Sequence, residues 1–323
     1  MRIVPLALVA GAVALAACQD SVVDPAASAA GGAAPEALFK KSADVEAVVE
    51  APLTDYLLEV NRRLAAEGLG VAVDKVEISY APNAEPGRAH DLFATDRTLR
   101  LTSRWVPGDE RRLADGDNLT YLNYTPNMTA NGSIDAEPEI DASFDTWAAL
   151  SCNKLPLVKR ADQGGNPSAI LGGNPFVADI VTLGFLPGAL FDLVLGPGAS
   201  DNVLGVTFTF VFGSFDGGGN FTPSDVDANG RTDTALKEVW YNDAFDWTDT
   251  GTGDFIDIQT VALHENGHAL ELGHFGRVAI NLASGKLQVS PRAVMNAFIL
   301  GTLRAPLGTD DASYCGNWAY WPN

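Results

Sequence analysis

Between about Pro35 and Gly68, apolar side chains recur at three- and four-residue spacing. Val45, Val48, Val49, Leu53, Leu57, Leu58 and Leu64 carry the pattern and predict helix. Pro52 falls inside it and predicts two helices or a kink. From Val71 to Tyr80 the period shortens to alternation, with Val71, Val73, Val76 and Ile78 apolar, which predicts a strand. Residues 81–87 are rich in turn formers. Further strands are expected over 98–105, 118–124, 155–159, 177–185, 203–212 and 239–245. A helix is expected over 135–150, with Ile140, Phe144, Trp147 and Leu150 on one face. Gly164 to Pro175 reads as a surface loop, and 185–201 as a loop holding a short helix. A second helix is expected over about 256–271, where Ile258, Val261, Leu263, Leu270 and Leu272 give it an apolar body. No repeat of fixed period is present.

Composition narrows the class. The chain has 323 residues, 46% of them hydrophobic, enough for one large domain or two smaller ones. A formal net charge of −20 argues against a nucleic-acid partner, because phosphate binding needs clustered Lys and Arg. The first 17 residues carry Arg2 and then a short apolar run, Ile3 to Ala17, which reads as an export signal. It ends Leu15-Ala16-Ala17-Cys18, which resembles a bacterial lipobox. That resemblance implies that Cys18 becomes the first mature residue and carries a lipid anchor to the cell envelope, with Gln19 pointing to the outer membrane. An ordinary signal peptide is the alternative. Residues 18–35, rich in Ala, Ser, Gly and Pro, read as a flexible tether. The remaining cysteines, Cys152 and Cys315, allow one pairing, and an exported chain tolerates disulfides. Two free buried thiols are the alternative.

The chemistry lies in residues 264–274, His-Glu-Asn-Gly-His-Ala-Leu-Glu-Leu-Gly-His. On a helix, His264 and His268 lie one turn apart on one face, so their imidazoles can share a zinc ion. Glu265 between them can serve as general base, and His274 supplies a third nitrogen. Three protein ligands leave one position for water, the arrangement of a catalytic site. Solvated histidines on a polar helix face are the bland alternative, against which the apolar flanks argue. His90 stands alone in a polar setting and reads as an exposed loop histidine.

These residues resemble the metzincin signature His-Glu-x-x-His-x-x-Gly-x-x-His, and the Ala-Leu after His268 looks like the matrixin branch. Ala293-Val294-Met295-Asn296 looks like the family's methionine turn, with Met295 beneath the metal. Ala178-Asp179-Ile180-Val181 is similar to a matrixin strand preceding the metal helix, and Asn118 to Tyr124 to its first strand. Asp310-Asp311 through Cys315-Gly316-Asn317-Trp318 resembles the last helix of bacterial matrixin-like proteins. The resemblance covers about 115–323. It implies an α+β catalytic domain, with a mixed twisted sheet above a central metal-binding helix, and a monomer that hydrolyses a protein or peptide substrate lying extended beside an edge strand. The expected domains are 36–95, a small accessory or pro-region of α/β character, and 96–323, the metalloprotease.

One position departs from the signature. Glu271 stands where the family has glycine. A straight helix would carry position 274 about 15 Å beyond 264, so the chain must break and fold back. Glycine turns most cheaply, and glutamate in a left-handed turn costs on the order of 1–2 kcal/mol. The turn falls either at Glu271 or at Gly273. Glu271 itself lies too far past His268 to be the expected ligand.

Asp225, Asp227, Asn229 and Asp233, with Gly230 in sixth place, match the front of an EF-hand loop. The twelfth position is Leu236, where a bidentate glutamate belongs, and Glu238 comes two residues late. Matrixin resemblance favours structural calcium here, whereas the residues alone equally describe an Asx-rich turn. Two functional classes stay open: a zinc endopeptidase, and a lapsed protease kept as a surface binding or adhesion lipoprotein. A third reading gives the binding role to the first 100 residues.

Overall fold

The computed structural model describes residues 39–40, 55–84, 92–93, 103–113, 116–253, 255–281, 284 and 286–322. Cys18, the export signal, the tether, Pro52 and His90 lie outside these residues. Among the described residues no helix is long and apolar enough to cross a membrane.

The architecture is mixed α/β, built on one mixed sheet. Helix α1 (Asp55–Glu67) leads into strand β1 (Val71–Tyr80). Strand β2 (Leu119–Asn123), helix α2 (Glu137–Ala148) and strand β3 (Leu157–Arg160) form a β-α-β unit with parallel strands. Strand β4 (Ile180–Leu186) lies parallel to β2 on its other side. Two short helices follow, α3 (Gly188–Leu195) and α4 (Ala199–Asn202). Then come the long strand β5 (Val203–Phe215) and strand β6 (Thr234–Asn242). Helix α5 (Ile258–Ala269) crosses beneath the sheet, and α6 (Gly308–Asn317) closes the fold. The sheet runs from a short edge strand at Leu92–Phe93 through β1, β5, β6, β4 and β2 to β3. β1 and β6 flank β5 antiparallel, and β6 lies parallel to β4.

Each face of the sheet buries its own core. Alternation along β5 sends Val206, Phe208 and Phe210 to one face, where they meet Leu57, Val60 and Leu64 of α1 and Phe191 of α3. The opposite face meets α5 and α2, with Val261, Leu263, Ile140, Phe144 and Trp147 packed together. α2 and α5 are joined by the Trp147 indole N–H, which donates to Leu263 O at 2.9 Å.

Three expectations are revised. The boundary at 95/96 does not separate two cores, because β1 pairs with β5 from Val71–Phe212 to Tyr80–Val203 and belongs to the central sheet. Without it β5 would expose a long row of unpaired amides, so burial binds the two regions into one. Phe39–Lys40, placed in a helical stretch, form a strand with Arg277–Asn281. After His274, where the apolar pattern gives no element, Arg277–Asn281 pairs with Leu287–Ser290 as a hairpin.

Candidate metal centre

Asp257 starts the central helix: its carboxylate accepts from Thr260 N at 3.0 Å and Thr260 Oγ1 at 2.6 Å, an N-cap. The helix is buried nearly throughout, with His264, Glu265, Asn266 and His268 all fully enclosed. It ends at Leu270 in a Schellman arrangement, in which Leu272 N–H donates to Gly267 O and Glu271 N–H to His268 O, each at 2.9 Å. Glu271 is the left-handed residue, at φ +64°. The turn therefore falls at Glu271 and not at Gly273.

A glutamate is tolerated there because its surroundings fasten it. Its carboxylate accepts from Trp105 N, from Thr234 Oγ1 at 3.3 Å and from Tyr320 OH at 3.3 Å. Its carbonyl accepts from Asn317 Nδ2 at 3.1 Å. Each such bond contributes about 1 kcal/mol, enough together to offset the strained turn. Burial pushes the Glu271 carboxyl up to about 7, against the pull of Lys237. Nearby, the indoles of Trp105 and Trp318 donate to Ala269 O and Leu270 O, at 3.1 Å each, satisfying carbonyls at the helix end.

The reversal brings the three histidines together. His268 Nε2 lies 2.9 Å from His264 Nε2 and 3.2 Å from His274 Nε2. His264 Nδ1 is 2.7 Å from Val294 O, and His268 Nδ1 is 2.7 Å from Leu272 O. Carbonyls only accept, so both Nδ1 atoms carry the proton and both Nε2 lone pairs face inward. Burial, with His268 and His274 alongside, holds His264 well below the usual imidazole range and hence neutral. Converging bare lone pairs repel unless a cation lies among them. Zn–N bonds of about 2.0–2.1 Å place tetrahedral nitrogens roughly 3.3 Å apart, close to the spacing seen. The donor set fits zinc.

Glu265 sits between the two helical histidines. Its Oε1 accepts from Ser79 Oγ at 2.5 Å and its Oε2 from Thr207 Oγ1 at 2.7 Å. Gly205 leaves room for it, since a Cβ there would come 2.8 Å from Oε1. Burial pushes the Glu265 carboxyl up to about 7, with His268 opposing. Glu77 of β1 lies behind His268, its Oε1 3.2 Å from Nδ1 and 2.5 Å from Lys75 Nζ. Such an outer carboxylate can orient a metal-binding imidazole.

Met295 lies beneath the helix at Gly267, where a Cβ would meet Met295 Sδ at 2.4 Å. Asp310 of α6 holds this turn by accepting from Val294 N at 2.9 Å and Met295 N at 3.2 Å. Phe275 N–H donates to Met295 O at 2.7 Å, fixing the turn to the chain just past His274. Cys152 and Cys315 form the expected disulfide, which ties the chain just beyond α2 to α6.

Asp225, Asp227 and Asp233 also converge. Here the chain itself supplies the counter-charge: Arg111 Nη2 lies 2.8 Å from Asp233 Oδ2. Asn229 N and Gly230 N donate to Asp225, and the Asn229 side-chain amide donates to Asp227. Leu236 is buried in the core, and the Glu238 carboxylate is taken by Ser168 Oγ, Ala169 N and Trp240 Nε1. The loop has the form of an Asx-rich turn; calcium there would have to displace Arg111 and do without the twelfth-position carboxylate.

Sequence reasoning missed Ser79, Thr207, Glu77 and the anchoring role of Asp310. The signal for the first three was the polar half of the alternation in β1 and β5, which reads as a solvent face but covers the buried helix. Searched against known protein families and curated proteins, the chain has no significant match.

Proposed function

We propose that this chain is a zinc-dependent endopeptidase of the metzincin type, matrixin-like, exported and anchored by lipid at Cys18. The observation that carries the reading is the convergence of three imidazole Nε2 atoms beside a buried carboxylate. His264, His268 and His274 would hold the zinc, which when bound lowers the pKa of water and polarises a carbonyl. The Glu265 carboxylate accepts a proton from the attacking water and returns it to the leaving amine. Ser79 and Thr207 fix the rotamer of that carboxylate. Glu77 and the carbonyls of Val294 and Leu272 orient the imidazoles. Met295 shapes the floor and takes no part in bond making.

The test combines elemental analysis with hydrolysis of casein and of quenched peptides by the wild type and by Glu265→Gln. Stoichiometric zinc in both, with cleavage in the wild type alone, is the expected result. Loss of zinc on replacing His264 or His268 would accompany it. A second reading, a lapsed protease that binds without cutting, draws on the complete enclosure of Glu265. Zinc without cleavage under any activation would favour it.

A further inference from the structure

Of the three imidazoles, His264 and His268 are fully enclosed and His274 is half-buried. Solvent therefore meets the cluster at His274. Beside that ring lies a pocket of about 410 Å³, a volume typical of ligand sites. Its walls come from the reversal at 271–275, from α6 and from two arginines, Arg104 and Arg231, with Met295 also lining it. Gly273, Ser313 and Gly316 are exposed along it, so it opens to solvent.

The charge of this pocket runs against that of the whole chain, which is −20. Two carboxylates line it, but both are already engaged by donors. Glu271 accepts from Trp105 N, Thr234 Oγ1 and Tyr320 OH. Asp310 accepts from the amides of Val294, Met295 and Leu307. Arg104 is oriented by a ring: its guanidinium carbon lies 3.9 Å from the centroid of Tyr320. Its Nε is enclosed and meets no acceptor among the described residues. An enclosed donor left so costs about 1–3 kcal/mol, which a ligand oxygen would relieve. The planar fork of a guanidinium matches a carboxylate.

Resting on the endopeptidase reading, we propose that this pocket takes the side-chain carboxylate of an Asp or Glu residue of the substrate, held by Arg104 and Arg231 beside His274. An extended peptide advances roughly 3.3 Å per residue, so a pocket walled by a ligand of the metal lies within a few residues of the cleaved bond. The chain therefore selects peptides with an acidic residue close to that bond.

The experiment uses the zinc-loaded full chain and quenched peptides blocked at both ends. Each pair differs only in Glu against Gln, moved through the positions on either side of the cleaved bond. The expected result is a kcat/KM at least about tenfold higher for Glu at one or two positions. In Arg104→Gln with Arg231→Gln that ratio should fall to near one. In Arg231→Glu the preference should turn from Glu toward Lys, and Arg104→Lys, which keeps the charge without the fork, should fall between. Zinc content and melting temperature are read for every variant, and Arg231→Glu carries the test if the double variant does not fold. A merely structural role would change the rate but not the ratio. A wild-type ratio near one at every position, a ratio that survives loss of both arginines, or a preference that follows a free C-terminal carboxylate instead overturns the proposal and leaves the endopeptidase reading standing. No cleavage of any peptide by the zinc-loaded wild type overturns both.

Discussion

At Glu271 a single residue resolves a conflict between local and distant forces. Left-handed backbone disfavours any side chain with a Cβ, yet the carboxylate gains bonds from Trp105, Thr234 and Tyr320. Glu271→Ala keeps the strain and removes those bonds. It is expected to destabilise the fold by about 2–3 kcal/mol in denaturant melts. Glu271→Gly loses the same bonds but relaxes the turn, and should recover about 1 kcal/mol of that deficit. Equal stability of the two variants would show that the turn is not strained. At Glu265 the expectation concerns chemistry. On the endopeptidase reading, Glu265→Gln preserves the acceptor at one oxygen and removes the proton acceptor, so kcat should fall by about 10²–10⁴-fold with zinc retained.

Elements hold these residues in register. Helix α6 anchors the turn at Met295 through Asp310. Asp310→Ala leaves the Val294 and Met295 amides unpaired in a buried place. It is expected to weaken zinc binding by about 10–100-fold in competition titrations with a chelating dye, although Asp310 touches no histidine. The Cys152–Cys315 bridge spans 163 residues and joins α6 to the chain beyond α2. Replacing both cysteines by serine should cost about 2–5 kcal/mol, read as a lower melting temperature. The elements themselves were largely legible. Helices α5 and α2 and strands β1, β2, β4 and β5 follow from apolar periods that the tertiary structure keeps. The hairpin at 277–290 was not legible, because its strands are short, of five and four residues, and only partly buried.

Across the whole molecule, buried carboxyls set a pH dependence. Glu238 is enclosed in β6, and burial pushes it up to about 7 despite four donors. Its folded value lies above its ordinary one, so the folded state binds the proton more tightly. That stabilisation is complete below about 4.5 and is lost as pH rises through about 7, on the order of 3 kcal/mol in all. Glu271 shifts in the same direction. Stability measured from pH 5 to 8 should therefore fall, and Glu238→Gln should flatten the slope. A bound metal would act on the same scale. If the three histidines bind zinc only when folded, zinc at a hundredfold excess over Kd adds about 2.7 kcal/mol. A chelator should then lower the melting temperature of the wild type but not of His264→Ala.

What the sequence determined by itself was local: the three histidines, the helical spacing of two of them, the carboxylate beside them and the need for a reversal before His274. These follow from the pitch of a helix and the chemistry of imidazole, and need no distant partner. The tertiary structure alone decided how the reversal is stabilised, since Trp105 is 166 residues from Glu271. It alone decided that Asp233 pairs with Arg111, 122 residues away. It also placed Ser79 against Glu265 across 186 residues, so that a strand ahead of the expected domain contributes to the candidate site. Alternation along a strand tells which residues share a face, but not what lies against that face. Only packing of the two layers settles that, because the pairing partner of a strand is chosen by burial far away in the chain.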